Sequence, residues 1–133
     1  MAAFGAFLIG REVANYMMNR KSGTIIFTGA TASIRGADGF AAFSGAKHAK
    51  RSLAQSMARE LGPKGIHVAH VVIDGAIDTP WIKELFQDYY NEKKAIDGLM
   101  NPNDIAGNYL WLYKQPRNAW THEIDLRPWV EKW

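Results

Sequence analysis

The residues able to do chemistry in this chain are few. It has no cysteine, which excludes thiolate nucleophiles, thiolate metal sites and disulfides, and it has four histidines. His67 and His70 stand three apart in an extended apolar run, so their side chains point to opposite faces and do not share a metal. His48 and His122 have no acidic partner at ligand spacing, and no metal site is expected. Thr31, Ser33 and Ser44 carry hydroxyls that donate hydrogen bonds but have no pKa suited to proton transfer near neutrality. Their plain use is to satisfy backbone groups in a loop and at a helix end. Thr28-Gly29-Ala30 follows a strand and superficially imitates a phosphate-binding loop. However, Ser33 and Arg35 stand where further glycines would let the backbone approach a pyrophosphate. Lys47 reads as a helix lysine whose stem lies along apolar neighbours. Thr79 followed by Pro80 has the form of an N-cap and a first-turn proline.

Positioning these residues falls to an alternating series of elements. Residues 2–20 read as a helix with apolar side chains at Phe4, Phe7, Leu8, Val13, Tyr16 and Met17. Its first half is apolar nearly all round, which predicts burial on more than one side. Residues 24–28 (TIIFT) form a short strand between Gly23 and Gly29, and residues 29–39 a loop rich in small residues. From 40 to 61 the apolar positions Phe43, Ala46, Leu53, Met57 and Leu61 keep helical spacing. Gly62-Pro63-Lys64-Gly65 then stops the helix, with Gly62 at its end and Pro63 just after.

Residues 66–73 (IHVAHVVI) are nearly continuous in apolar character, as a parallel strand covered on both faces would be. Residues 79–95 mix Trp81, Leu85, Phe86, Tyr89 and Tyr90 with charges and predict helical segments over a cleft. Asn101-Pro102 opens a helix carrying Ile105, Tyr109, Leu110, Leu112 and Tyr113. Residues 120–126 read as a last strand. Trp111, Trp120, Trp129 and Trp133 are assigned to core and interface rather than to a ligand cage. Helix–strand alternation of this kind predicts an α/β fold, a parallel sheet flanked by helices, in a single domain over 1–133.

Composition bounds the function classes. With 133 residues, 47% apolar and 22% charged, the chain suits one soluble globular domain. Sixteen basic against thirteen acidic side chains leave a net charge of +3. That excess is spread along the chain and favours solubility over nucleic-acid binding. No apolar run approaches the ~20 residues of a membrane span. The apolar start at Ala2 to Ile9 is followed at once by Arg11 and Glu12, and reads as a soluble helix rather than a signal peptide. The expected location is cytoplasmic, in keeping with the lack of cysteine.

Three ordered stretches, GTIIFTGATASIRGADGFAAFSGAKHAKRSLAQSMARELGPKGIHV, DGAIDT and PNDIAGNY, together resemble the short-chain dehydrogenase/reductase family, specifically its C-terminal half. The resemblance covers essentially the whole chain. It implies a partial Rossmann-like fold, an NAD(P)-dependent oxidoreductase, and NAD or NADP as cofactor. The family's Tyr-x-x-x-Lys pair falls on Phe43 and Lys47, one helical turn apart on one face. In the family that Tyr supplies the proton that follows hydride transfer, while the Lys lowers its pKa and holds the nicotinamide ribose. Phe43 has no proton to give. The family's Ser, thirteen residues earlier, falls on Ala30, and its Asn falls on Ala2 when Gly5 is matched to the family's small residue there. Only Lys47 keeps its type.

DGAIDT resembles the Pro-Gly…Thr loop at the nicotinamide carboxamide, with Asp74 in the place of Pro and the strand one residue longer. Ile77 and Thr79, with Lys47, are the cofactor contacts that the resemblance implies. The family's glycine-rich βαβ units precede the matched region. The chain alone is therefore expected to be weak or inactive as an oxidoreductase. The alternative is a non-catalytic small-molecule-binding or oligomerisation module. Without neighbouring strands, residues 24–28 would form an exposed hydrophobic edge. The expected partners are a second copy, through the helices at 2–20 and 40–61, or an N-terminal segment supplied by a longer chain.

Overall fold

The computed structural model describes residues 2–132. Its centre is a run of β-branched residues that no solvent reaches. All eight residues of β2 (Ile66–Ile73) are buried, which requires cover on both faces of the strand. β1 (Gly23–Thr28) pairs with β2 in parallel from Gly23 opposite Ile66 to Thr28 opposite Val71. β3 (Glu123–Leu126) pairs with the other side of β2 in parallel, His70 lying opposite Glu123. The three strands stand in the order β1-β2-β3, the α/β class that the alternation predicts.

Period-two alternation along β2 divides the core. Ile66 and Val68 join Phe27, Ala14, Ala54, Met57 and Leu61 under α1 (Ala2–Arg20) and α2 (Ala41–Leu61). Ala69, Val71 and Ile73 join Leu112 of α5 (Pro102–Lys114) on the opposite face. The short helices α3 (Pro80–Leu85) and α4 (Gln87–Ala95) follow the loop that leaves β2, with no buried side chains. Among the described residues no helix is long and apolar enough to cross a membrane.

Several expectations are corrected. α1 is not buried on two sides. Gly10 and Ala14 are its buried residues, whereas Phe4, Phe7, Ile9 and Tyr16 are exposed. The small residues set α1 close against α2 and turn the large ones outward. Phe43 likewise lies on the open side of α2. Trp111 and Trp129 are exposed and outside the core, Trp120 is half-buried and stacked on His67, and Trp133 lies outside the described residues. The last strand starts at Glu123, not at 120, because the Gln115 side chain captures Thr121, accepting from its amide at 2.7 Å and donating to its hydroxyl at 2.8 Å. Gly62 continues the right-handed turn at the end of α2. Gly65, with φ +82, is the left-handed residue that releases the chain into β2.

Candidate functional site

Three parallel strands end side by side at Thr28, Ile73 and Leu126, and the carboxyl ends of such strands are where α/β sheets present their ligand crevices. The loop leaving β1 is drawn inward. Gly29 donates its amide to the Val71 carbonyl at 2.6 Å, and Ala30 donates its amide to the Ser33 hydroxyl at 3.1 Å. Gly29 permits a close approach. A Cβ there would lie 2.4 Å from His70 Nε2 and 2.8 Å from Ser33 Oγ. The amides of the segment that imitates a phosphate loop are thus consumed internally, and no pyrophosphate cradle exists among the described residues.

The motif positions gather on the outer side of this loop. Phe43 and Lys47 occupy one face of α2, with Lys47 Nζ 5.4 Å from the ring centroid. Lys47 and Lys50 both reach the Thr28 carbonyl, through long contacts of 3.5 and 3.4 Å. Burial first, and the neighbouring Lys50 second, hold the Lys47 ammonium below its ordinary pKa of 10.5. Ala30 brings a methyl group to the end of β1, and Ala2, the position matched to the family's Asn, lies at the start of α1. The three nearby hydroxyls all make hydrogen bonds within the chain. Thr31 Oγ1 donates to Asp74 at 2.5 Å, Ser44 Oγ donates to the Ala32 and Arg35 carbonyls, and Ser33 Oγ receives the Ala30 amide.

The second loop starts from Asp74, which is completely buried. Its carboxylate accepts from Thr31 and from Arg35 Nη2 at 3.3 Å, and faces Arg127 Nη2 at 3.6 Å. This cluster ties the exits of all three strands together. Its sequence signal is a lone Asp closing an apolar run, but the arginines that neutralise it are remote in sequence. Ile77 is half-buried in the α5-side core and bridges to Met100, through bonds of 2.9 Å made by the flanking Ala76 carbonyl and Asp78 amide. Thr79 caps α3, its hydroxyl accepting from the Ile82 amide at 3.4 Å, with Pro80 next. Beside it, Asp78 accepts from Tyr90 Oη at 2.7 Å and pairs with Lys94 Nζ at 2.5 Å. The Lys94 bond first, then that of Tyr90, holds the Asp78 carboxyl below its usual range, and Asp78 raises both partners. A cleft of about 600 Å3 lies here, lined by Asp78, Thr79, Pro80, Lys83, Gln87 and Tyr90.

A third polar cluster sits beneath the β1 loop. His70, fully buried, has its Nδ1 2.9 Å from Glu123 Oε2, and Arg51 clamps the same carboxylate at 2.6 and 2.8 Å. The Arg51 bond, foremost, keeps Glu123 ionised well into acid, while burial pushes His70 down towards the neutral imidazole. With Nδ1 donating to Glu123, Nε2 presents a lone pair towards Gly29 and accepts no hydrogen bond among the described residues. Spacing gave no hint of this relay, because its members are drawn from α2, β2 and β3. His67 lies on the opposite face, stacked on Trp120.

The family model described as short chain dehydrogenase matches residues 1–90. A solved short-chain dehydrogenase from Rhodopseudomonas palustris is 46% identical, with a TM-score of 0.74 over 97% of this chain and 49% of that one. A 2-dehydro-3-deoxy-D-gluconate 5-dehydrogenase of Pseudoalteromonas atlantica is 30% identical over 80% of this chain and 43% of its own length. A serine dehydrogenase solved with NADP+ shares the fold at a TM-score of 0.81 and 19% identity. The chain spans about half the length of the curated relatives it matches.

Proposed function

The chain belongs to the short-chain dehydrogenase family, and we propose that it is the C-terminal half of an NAD(P)-dependent oxidoreductase whose proton relay has been lost. The observation that carries this is Phe43. Its ring holds the motif place, with Lys47 still 5.4 Å from its centroid, and has no oxygen to pass a proton. A positioned general acid is worth ~10²–10⁴-fold in rate. A hydrogen-bond donor on the developing oxyanion, the place now held by Ala30, is worth ~10²–10³-fold. Neither Phe43 nor Ala30 can make these contributions, and the Thr31 and Ser44 hydroxyls donate to Asp74 and to loop carbonyls.

Lys47 and Thr79 remain suited to the ribose and carboxamide end of a nicotinamide cofactor, and the Thr79 hydroxyl keeps a proton to donate after capping α3. The cofactor would supply hydride chemistry. Its phosphates would need a cradle on strands outside the described residues, next to the free edge of β1. The exposed Phe4, Phe7 and Ile9 on α1, with Phe40 and Phe43 at the start of α2, support self-association through these helices. The proposed setting is the cytoplasm.

Titration calorimetry of this chain with NADH and NADPH is the test. The expected result is no heat beyond dilution, and a micromolar dissociation constant would overturn the assignment of the phosphate cradle to strands outside the described residues. Light scattering over a concentration series should show a dimer or larger species. A monomer throughout would remove the proposed helix interface.

A further inference from the structure

Lys47 has lost the phenol that the family motif pairs with it. A phenolate at position 43 would hold the ammonium in its charged form, whereas a bare ring does not. In its place stand the Phe43 face at 5.4 Å and a second amine, Lys50, reaching the same Thr28 carbonyl oxygen. Neither lysine forms an ion pair with a carboxylate among the described residues, although Lys94 of the same chain does. The ring face favours the ammonium only weakly, and two partly buried amines crowded on one acceptor without a counter-charge form the environment in which a lysine sheds its proton and becomes a nucleophile. The lowered pKa of Lys47 has these same causes, burial and Lys50.

We propose that Lys47 is an imine-forming lysine that takes small aldehydes or ketones covalently at the end of β1, with Lys50 as its activating neighbour. The neutral Nζ adds to the carbonyl carbon. A proton moves from nitrogen to oxygen, the carbinolamine expels water, and a C=N bond replaces C=O without oxidation or reduction. Hydrolysis reverses the step. No nicotinamide coenzyme takes part, so the proposal goes beyond the oxidoreductase reading and does not depend on it.

The test is reductive trapping at pH 7.5 with propionaldehyde and sodium cyanoborohydride, with sites located by peptide mass spectrometry. The chain has nine lysines, so Lys47 competes against eight internal standards. Each unit of lowered pKa is worth about tenfold in free amine. Lys47 is expected to be modified severalfold faster than the exposed Lys64, Lys114 and Lys132. Lys50→Gln should bring Lys47 part of the way to the common rate, since burial remains, and Lys50→Arg, which restores the charge, should restore the full preference. The rate–pH profile at Lys47 in the unaltered chain should break below 10.5, the ordinary lysine value. Even labelling across the lysines would overturn the proposal. So would a Lys47 rate indifferent to Lys50→Gln, or a break at or above the ordinary value.

Discussion

The two sides of the β1 loop differ sharply. Beneath it, the buried His70 is linked through Glu123 to the half-buried Arg51, and Asp74 is hydrogen-bonded by Thr31 and faces the guanidinium groups of Arg35 and Arg127. Above it, Ala30, Phe43 and Lys47 present methyl, ring and amine, with only long contacts to the Thr28 carbonyl. The buried side holds the loop in place, and the open side carries the motif positions. The comparison teaches that the groups bracing the strand ends are distinct from those that the proposed function places at the reacting centre. Stability and chemistry in this chain are lodged in different residues.

Substitutions can separate the two. Asp74→Ala takes the carboxylate from Arg35, which is a third exposed, while Arg127 keeps Asp125, and should cost ~2–3 kcal/mol, below a fully buried pair. Chemical denaturation measures this. Gly29→Ala forces a methyl against His70 and Ser33 and should cost ~1–3 kcal/mol. If this variant melts with the unaltered chain, the close approach of Gly29 to His70 is wrong.

Acid should act on the buried side in two stages. His70 has a folded pKa below its ordinary 6.5, so the unfolded chain binds the extra proton first and stability falls as pH drops below about 6.5. Glu123 is also lowered, so its contribution is present above its ordinary 4.5 and is lost below that as the folded carboxylate protonates. Melting temperature against pH checks both stages. His70→Gln should flatten the first stage and leave the second.

The smallest effect belongs to the open side. Phe43→Tyr adds an oxygen at a half-exposed ring and should change stability by less than ~0.5 kcal/mol. A large loss would place Phe43 in the framework after all.

Local signals made the fold legible. The continuous apolar run of β2 required two covered faces, and Thr79-Pro80 and Asn101-Pro102 open helices as capping chemistry demands. The motif pair was legible too, because one helical turn places Phe43 and Lys47 together without any tertiary contact. What spacing could not reveal was long-range pairing. His70 and Glu123 are 53 residues apart, and Thr31 and Asp74 are 43 apart, yet parallel register makes each pair adjacent. Which face of α1 packs within this chain was hidden for a related reason. Apolar residues lie all round the helix, and the small Gly10 and Ala14, not the large rings, decide the close contact.

Carbonyl-dependent oxidation of NADH and NADPH by the purified 133-residue chain tests the loss of the proton relay most directly. With a panel of small aldehydes and ketones, the rate should match the protein-free control. Steady turnover that scales with protein concentration would contradict it.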